Sequence, residues 1–251
     1  MILEACVDSV ESALAAQAGG AHRVELCEDL LEGGTTPSAG MIEVCHERLQ
    51  IPVHVLIRPR GGDFVYSDVE LEVMQRDIAL VRRLGAQGVV IGALRPDGAV
   101  DVERTRALLG VARPLSVTFH RAFDFTPDAD AALDTLIALG VDRVLTSGQA
   151  PSARQGTRVL ARLVARAAGR IGILAGGSVS EEDIAEIAQR SGVREVHVRA
   201  TALLESPTSY RPQHLSLQKR PLPNEFDRAV TDPERIRRIS DLLRKLDPPM
   251  S

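Results

Sequence analysis

The sequence predicts a single-domain (β/α)8 barrel of the TIM type, in the α/β class, over residues 1–251. Three observations predict it. Short runs rich in β-branched residues alternate with amphipathic segments along the chain. Successive strands start about 20–35 residues apart, the interval of βα units. There are eight such units, the number that closes a barrel. The alternative, a doubly wound open sheet, carries a Gly-rich loop after its first strand; here that strand runs into CVDS.

The strands are read at ILEACV (2–7), RVELCE (23–28), VHVLIR (53–58), GVVIGAL (88–94), LSVTFHR (115–121), RVLTSG (143–148), IGILAGG (171–177) and EVHVRA (195–200). The helices between them carry start and stop signals. SVESALAAQAG begins with a Ser N-cap, and DVELEVMQRDIALVRRLG ends in Arg-Arg-Leu-Gly. DADAALDTLIALG and SEEDIAEIAQRSG place acids at the start and Gly at the stop. MIEVCHERL is the second helix and holds Cys45. Residues 202–231 contain four prolines and no clear period, so they read as a long irregular loop, a lid or a subunit contact. DPERIRRISDLLRKL supplies the last helix, with Asp232 as N-cap and Pro233 at its first position.

Composition narrows the function classes. A net charge of −4 argues against a nucleic-acid surface. No apolar run approaches the roughly 18 residues of a membrane span. Three cysteines cannot all pair internally, and no signal peptide opens the chain, so the expected compartment is the reducing cytoplasm. Among the basic residues only Lys219 and Lys245 are lysines. Neither lies on a strand, so no strand offers an amine for Schiff-base chemistry.

Strand parity gives the candidate site. Side chains alternate with period two, so Glu4 and Cys6 share one face, as do Glu25 and Cys27. His54, Leu56 and Arg58, Thr118 and His120, and His197 and Arg199 form the matching faces of strands three, five and eight. The opposite faces are apolar and belong under the helices, which leaves the polar set on the barrel axis. Charges buried without partners are unfavourable by several kcal/mol each. This set must therefore pair, bind an ion or ligand, or line a wet cavity. Glu4, Glu25, Arg58 and Arg199 are the expected ion-pair network.

Loop motifs extend the candidate list. IRPRGGDF sets Arg58 and Arg60 at a strand end, where two guanidiniums suit a carboxylate or phosphate. TFHRAFD brings His120, Arg121 and Asp124 to the mouth. LTSG adds Ser147, and LAGGSVSEED places Gly176 and Gly177 before a helix, where many barrels hold phosphate.

With LEACVDS, HRVELCEDLLEGGTTPS, VLIRPRGGDFVYS, TFHRAFD, RVLTSG and LAGGSV in this order, the sequence resembles the CutC copper homeostasis family from Leu3 to about Arg199. The resemblance implies a TIM barrel, a cytoplasmic protein and a homo-oligomer, dimer or tetramer. It also implies copper handling, with Cys6 and Cys27 at the positions of the cysteines proposed to ligate Cu(I). Two positions depart from the family pattern: Ser178 in Gly176-Gly177-Ser178-Val179, and Arg199 in EVHVRAT, which alters the charge and shape of the mouth.

Two readings follow. In the first, Cys6 and Cys27 bind Cu(I), a soft ion that prefers thiolates. In the second, the barrel is an isomerase or lyase acting on a small phosphorylated or carboxylated molecule. Glu4 or Glu25 is then the base, His120 the partner acid, and Arg58, Arg60, Arg121, Asp124, Ser147, Gly176, Gly177, His197 and Arg199 line the ligand site.

Overall fold

A strand whose alternate side chains are apolar must bury that face, and a ring of eight such strands buries it under helices. The computed structural model, which describes residues 1–212, 214–215 and 226–246, has this arrangement. Strands β1 (Ile2–Val7), β2 (Arg23–Leu26), β3 (Val53–Leu56), β4 (Gly88–Ile91), β5 (Ser116–Phe119), β6 (Arg143–Thr146), β7 (Gly172–Ala175) and β8 (Glu195–Val198) pair in parallel, and β8 closes on β1. Helices α1 (Val10–Ala18), α2 (Ala39–Arg48), α3 (Asp68–Arg83), α4 (Val102–Ala112), α5 (Ala129–Leu139), α6 (Thr157–Ala167), α7 (Ile184–Ser191) and α8 (Pro233–Leu246) surround them. Local chemistry sets several ends. Ser9 Oγ accepts from Ser12 N, Ser67 and Glu70 form a capping box, and Gly140 stops α5 at φ 76°.

The ladders are shorter than the sequence suggests. Cys27, Arg58, His120, Ser147, Gly176 and Arg199 all lie just beyond their strands. Cys27 N still donates to Val7 O, and His120 N to Ile91 O, before the chain turns away. These residues therefore stand at the C-terminal rim, where barrel loops carry chemistry.

The segment read as irregular over 202–231 is paired at both ends. Strand β9 (Thr201–Leu204) runs antiparallel to β10 (Arg228–Thr231), with Thr201 opposite Thr231. Thr231 N donates to Ser12 Oγ at 3.1 Å and Asp232 N to Ala200 O at 2.8 Å, which ties the ribbon to α1 and to the end of β8. Residue 213 and residues 216–225, with Lys219, Pro221 and Pro223, lie outside the described residues.

Two apolar clusters separate the two sides of the sheet. The outer one joins Leu3, Ala5, Val7, Val24, Leu26, Val55, Val117, Phe119 and Val196 to helix residues such as Ile42, Met74, Leu133 and Ile236. The inner one is small: Cys6, Cys27, Leu56 and Val90, with Leu30 against it. Register arranges the polar interior beside it. Glu4 lies level with Arg23 on one side and His197 on the other, and Cys6 is level with Glu25. Glu25 is level with His54, and His54 with Gly88. The His54 ring fills the space that a side chain at residue 88 would need; a Cβ there would stand 2.5 Å from its Cδ2.

Below this level lies an ion network. Arg23 Nε is bonded to Glu4 Oε2, and its Nη2 donates to Glu195 Oε2 at 2.8 Å. Arg143 Nε reaches the same Glu195 oxygen at 2.5 Å. The expected network of Glu4 and Glu25 with Arg58 and Arg199 is thus corrected: Arg23 takes that part. Because Arg23 is buried between two carboxylates, Arg23→Met is expected to destabilise the fold by about 3 kcal/mol in urea unfolding, by taking one cationic partner from each and leaving Glu4 with His197 and Glu195 with Arg143. Removing Arg76, whose pair with Glu72 is solvent-exposed, is expected to leave the unfolding midpoint where it was.

Candidate metal centre and cavity

Adjacent strands β1 and β2, with β8 on the far side of β1, bring the thiols, carboxylates and imidazole together. Cys6 Sγ and Cys27 Sγ are 4.0 Å apart, and Cys27 Sγ lies 3.5 Å from Glu25 Oε2. His197 Nδ1 is 2.8 Å from Glu4 Oε1, and its Nε2 is 3.7 Å from Glu25 Oε2. Two overlapping triads have donor atoms within 4.8 Å of one another: Cys6, Glu25 and Cys27, and Glu4, Glu25 and His197. The first is a soft sulfur-rich set, the second a hard one of oxygen and nitrogen.

Burial acts on every member, and neighbours decide which keep their charge. Burial raises the Glu4 pKa, but the His197 hydrogen bond and the Arg23 charge outweigh it, so Glu4 stays ionised. Burial also works against a charged His197; the Glu25 charge and the hydrogen bonds of His197 to Cys6 and Glu4 win, and its pKa rises well above the ordinary value. Hydrogen bonding from Cys27 pulls the Cys6 thiol down against desolvation, with further help from His197. Cys27, the donor in that pair, moves up. Glu25 is raised chiefly by burial, with the Cys6 and Glu4 charges adding to it. These directions favour a Cys6 thiolate beside an imidazolium, with the shared thiol proton on Cys27, and make Glu25 a weaker acid than a free carboxyl.

A cavity of about 640 Å³ opens above this floor at the rim, within the usual range of small-molecule sites. Cys6, Glu25, Arg58, His120, Arg121 and His197 line it, together with Phe64 and Phe125. Glu4 and Cys27 lie against the floor through His197, Glu25 and Cys6.

Several predicted ligand residues are engaged elsewhere. Arg58 Nη1 donates to Glu32 O and Gly34 O, and Nη2 to Gly62 O, so this guanidinium holds rim loops rather than Glu4 or Glu25. Arg60 lies off the cavity wall, on Glu70 at 2.5 Å and Asp63 at 3.2 Å. Arg199 turns to Asp8 at 3.5 Å. Asp124 gathers the Ser147 and Gln149 amides, the Thr146 hydroxyl and Arg121 Nε, which makes it an organiser of the rim. The Ser147 hydroxyl donates to Ala150 O. Gly176 and Gly177 allow close packing: a Cβ on Gly176 would meet Leu145 at 2.5 Å, and one on Gly177 would meet Ser147 at 2.9 Å.

His120 departs from its expected role as an acid. Burial, reinforced by the Arg58 charge, depresses its pKa to about 3, and its Nδ1 accepts from Ala122 N at 3.1 Å. The ring is neutral at physiological pH and accepts a hydrogen bond at Nδ1, while His197 and Glu25 are the imidazole and carboxyl that face each other in the site. Sequence reasoning also missed Arg23, Arg143 and Glu195. The signal was present: each opens its strand, and Arg23 shares parity with Glu25.

The fold and site define a class: a TIM barrel whose rim carries a buried thiol pair next to a carboxylate–histidine cluster, with donors suited to a soft metal ion. The family model described as the CutC family matches residues 1–202. The copper homeostasis protein cutC homolog of Homo sapiens is 45% identical over 245 residues, covering 98% of this chain and 90% of that one. A CutC family protein of Bacteroides fragilis is 47% identical and covers 94% of each chain. The crystal structure of the putative copper homeostasis protein CutC from Streptococcus agalactiae superposes with a TM-score of 0.76 at 36% identity, over 78% of this chain and 97% of that one. Thiamine phosphate pyrophosphorylase from Pyrococcus furiosus, at 13% identity and a TM-score of 0.63 over 98% of this chain and 97% of that one, shares the fold alone. This chain belongs to the CutC family.

The thiolate assignment has a direct readout. A thiol reacts with iodoacetamide only as its thiolate, and an ordinary thiol, with a pKa of about 8.5, loses that form as pH falls below 8. Cys6 lines the cavity and its pKa is lowered. It is expected to alkylate at pH 6 while Cys27 and Cys45 are spared, as read by peptide mass spectrometry. His197→Gln is expected to move the Cys6 profile back toward that of a free thiol.

Proposed function

We propose that this chain handles copper by binding Cu(I) as cargo between Cys6 and Cys27. The observation that carries the reading is the 4.0 Å separation of two buried sulfurs on adjacent strands. Bonds from thiolate to a metal such as zinc are about 2.3 Å long, so one soft ion can touch both sulfurs in a bent arrangement. That bend leaves room for a third donor, and Glu25 stands nearest in the same triad. Cys45, on the buried face of α2, belongs to the outer core and takes no part. The copper homeostasis names of the human and mouse relatives support the reading. It implies a reducing compartment, the cytoplasm, where paired thiols persist. No helix among the described residues is long and apolar enough to cross a membrane. A homo-oligomer, dimer or tetramer, is the proposed assembly.

Cu(I) must displace the proton held by Cys27, so binding is expected to release about one proton per ion. The Cys6→Ala, Cys27→Ala double variant is expected to lose competition with a Cu(I) chelator such as bathocuproine disulfonate. Cys45→Ala is expected to compete like the unaltered protein. A double variant that titrates unchanged overturns the proposal.

One observation favours a second reading. The cavity is far larger than a single ion needs, and its floor carries acid–base groups. In this reading the barrel is an isomerase or lyase. Glu25 moves a proton on a small carboxylated or phosphorylated substrate, and His197 is poised by Glu4 to exchange protons with it. Thermal shifts produced by a metabolite library are expected to disappear in Glu25→Gln; shifts that persist unchanged in that variant remove this reading.

A further inference from the structure

The cavity wall holds a buried donor that nothing among the described residues satisfies. His120 is 6% exposed and stands in the cavity wall. Its Nδ1 lone pair accepts from Ala122 N. A neutral imidazole then carries its proton on Nε2, and Nε2 has no hydrogen-bond partner among the described residues. An orphaned buried donor is unfavourable and calls for an acceptor.

Its surroundings say which kind. Arg58 is 5% exposed and lines the same cavity. Its guanidinium hydrogen-bonds three backbone carbonyls and forms no ion pair among the described residues; its Nε is also without a hydrogen-bond partner. A buried positive charge set against carbonyl dipoles and an aromatic ring rather than a carboxylate favours an anion beside it. The remaining wall is aromatic. Phe64 lies against His120 at 5.0 Å between ring centroids and against Phe125 at 5.6 Å, with the Arg58 guanidinium 5.2 Å from its centre. Phe125 is 67% exposed at the rim, an apolar surface open for a ligand to cover.

We infer that the cavity binds a small organic carboxylate, with one carboxylate oxygen on the His120 Nε2–H beside Arg58 and the apolar body against Phe64 and Phe125. This deepens the second reading by naming its ligand class, and it does not depend on the thiols.

Benzoate is the probe, with benzamide as a neutral control of the same shape, and isothermal titration or ligand-observed NMR gives the readout. Benzoate is expected to bind at least about tenfold more tightly than benzamide, the difference a charge-assisted hydrogen bond supplies. Two substitutions separate function from packing. In His120→Asn the amide oxygen takes the place of Nδ1 and keeps the Ala122 contact, but the donor is gone; affinity is expected to fall about tenfold. In His120→Gln the amide nitrogen takes the place of Nε2, and benzoate binding is expected to survive. A residue that serves only its own turn would give the reverse order in stability and no change in affinity. The Cys6→Ala, Cys27→Ala variant is expected to bind benzoate normally, so loss of copper and loss of this site are read separately. Binding without turnover of any library compound would remove the enzyme reading and leave the carboxylate site standing. Equal affinity for benzoate and benzamide overturns the proposal, and that comparison changes no residue. So does unchanged binding to His120→Asn, or a crystal structure in which a water stays on Nε2 with benzoate bound elsewhere.

Discussion

A carboxylate with no exposed surface needs a counter-charge on its own level of the barrel, and Glu4 has one on each side. Arg23 meets one oxygen from β2, and His197 meets the other from β8, across the seam where the barrel closes. The cation partners hold three strands in register. A slip of one residue would turn Glu4 into the helix layer and send Leu3 or Ala5 to the axis. Arg23 continues to Glu195, and Glu195 to Arg143, so the same requirement extends around to β6.

The ionisation of the site follows from that pair. With the Glu25 charge and the Cys6 hydrogen bond, the hydrogen bond to Glu4 keeps His197 cationic, and the cation helps hold Cys6 as a thiolate. Glu25 sits near two negative neighbours in a buried position and gives up its proton less readily than a free carboxyl. A thiolate and a carboxyl of raised pKa thus lie side by side, a pairing whose chemistry suits the copper reading proposed above and equally the proton-transfer one.

Much of this was legible in the sequence because period two is rigid. Once Leu3, Ala5 and Val7 are assigned to the helix side, Glu4 and Cys6 have nowhere to point but inward, and the same holds for Glu25 and Cys27. Partner choice was not legible. Arg58 has inward parity too, yet its long side chain reaches the carbonyls of Glu32, Gly34 and Gly62 rather than an acid. The aromatic wall was also hidden. Phe64 and Phe125 come from loops, where no period marks which way a ring turns. The β9–β10 ribbon escaped notice because its two strands are four residues each and separated by a proline-containing stretch.

Because Glu4 and Cys6 lie at the start of the chain while His197 comes from the last barrel strand, the centre spans almost the whole barrel sequence. During synthesis from the N-terminus, both sulfurs leave the ribosome long before the imidazole that tunes one of them. A nascent chain at that stage offers two ordinary, unshielded thiols to oxidants and stray metals. Their protection therefore depends on how soon the eighth strand zips to the first, a contact between distant parts of the chain and thus among the slower ones to form.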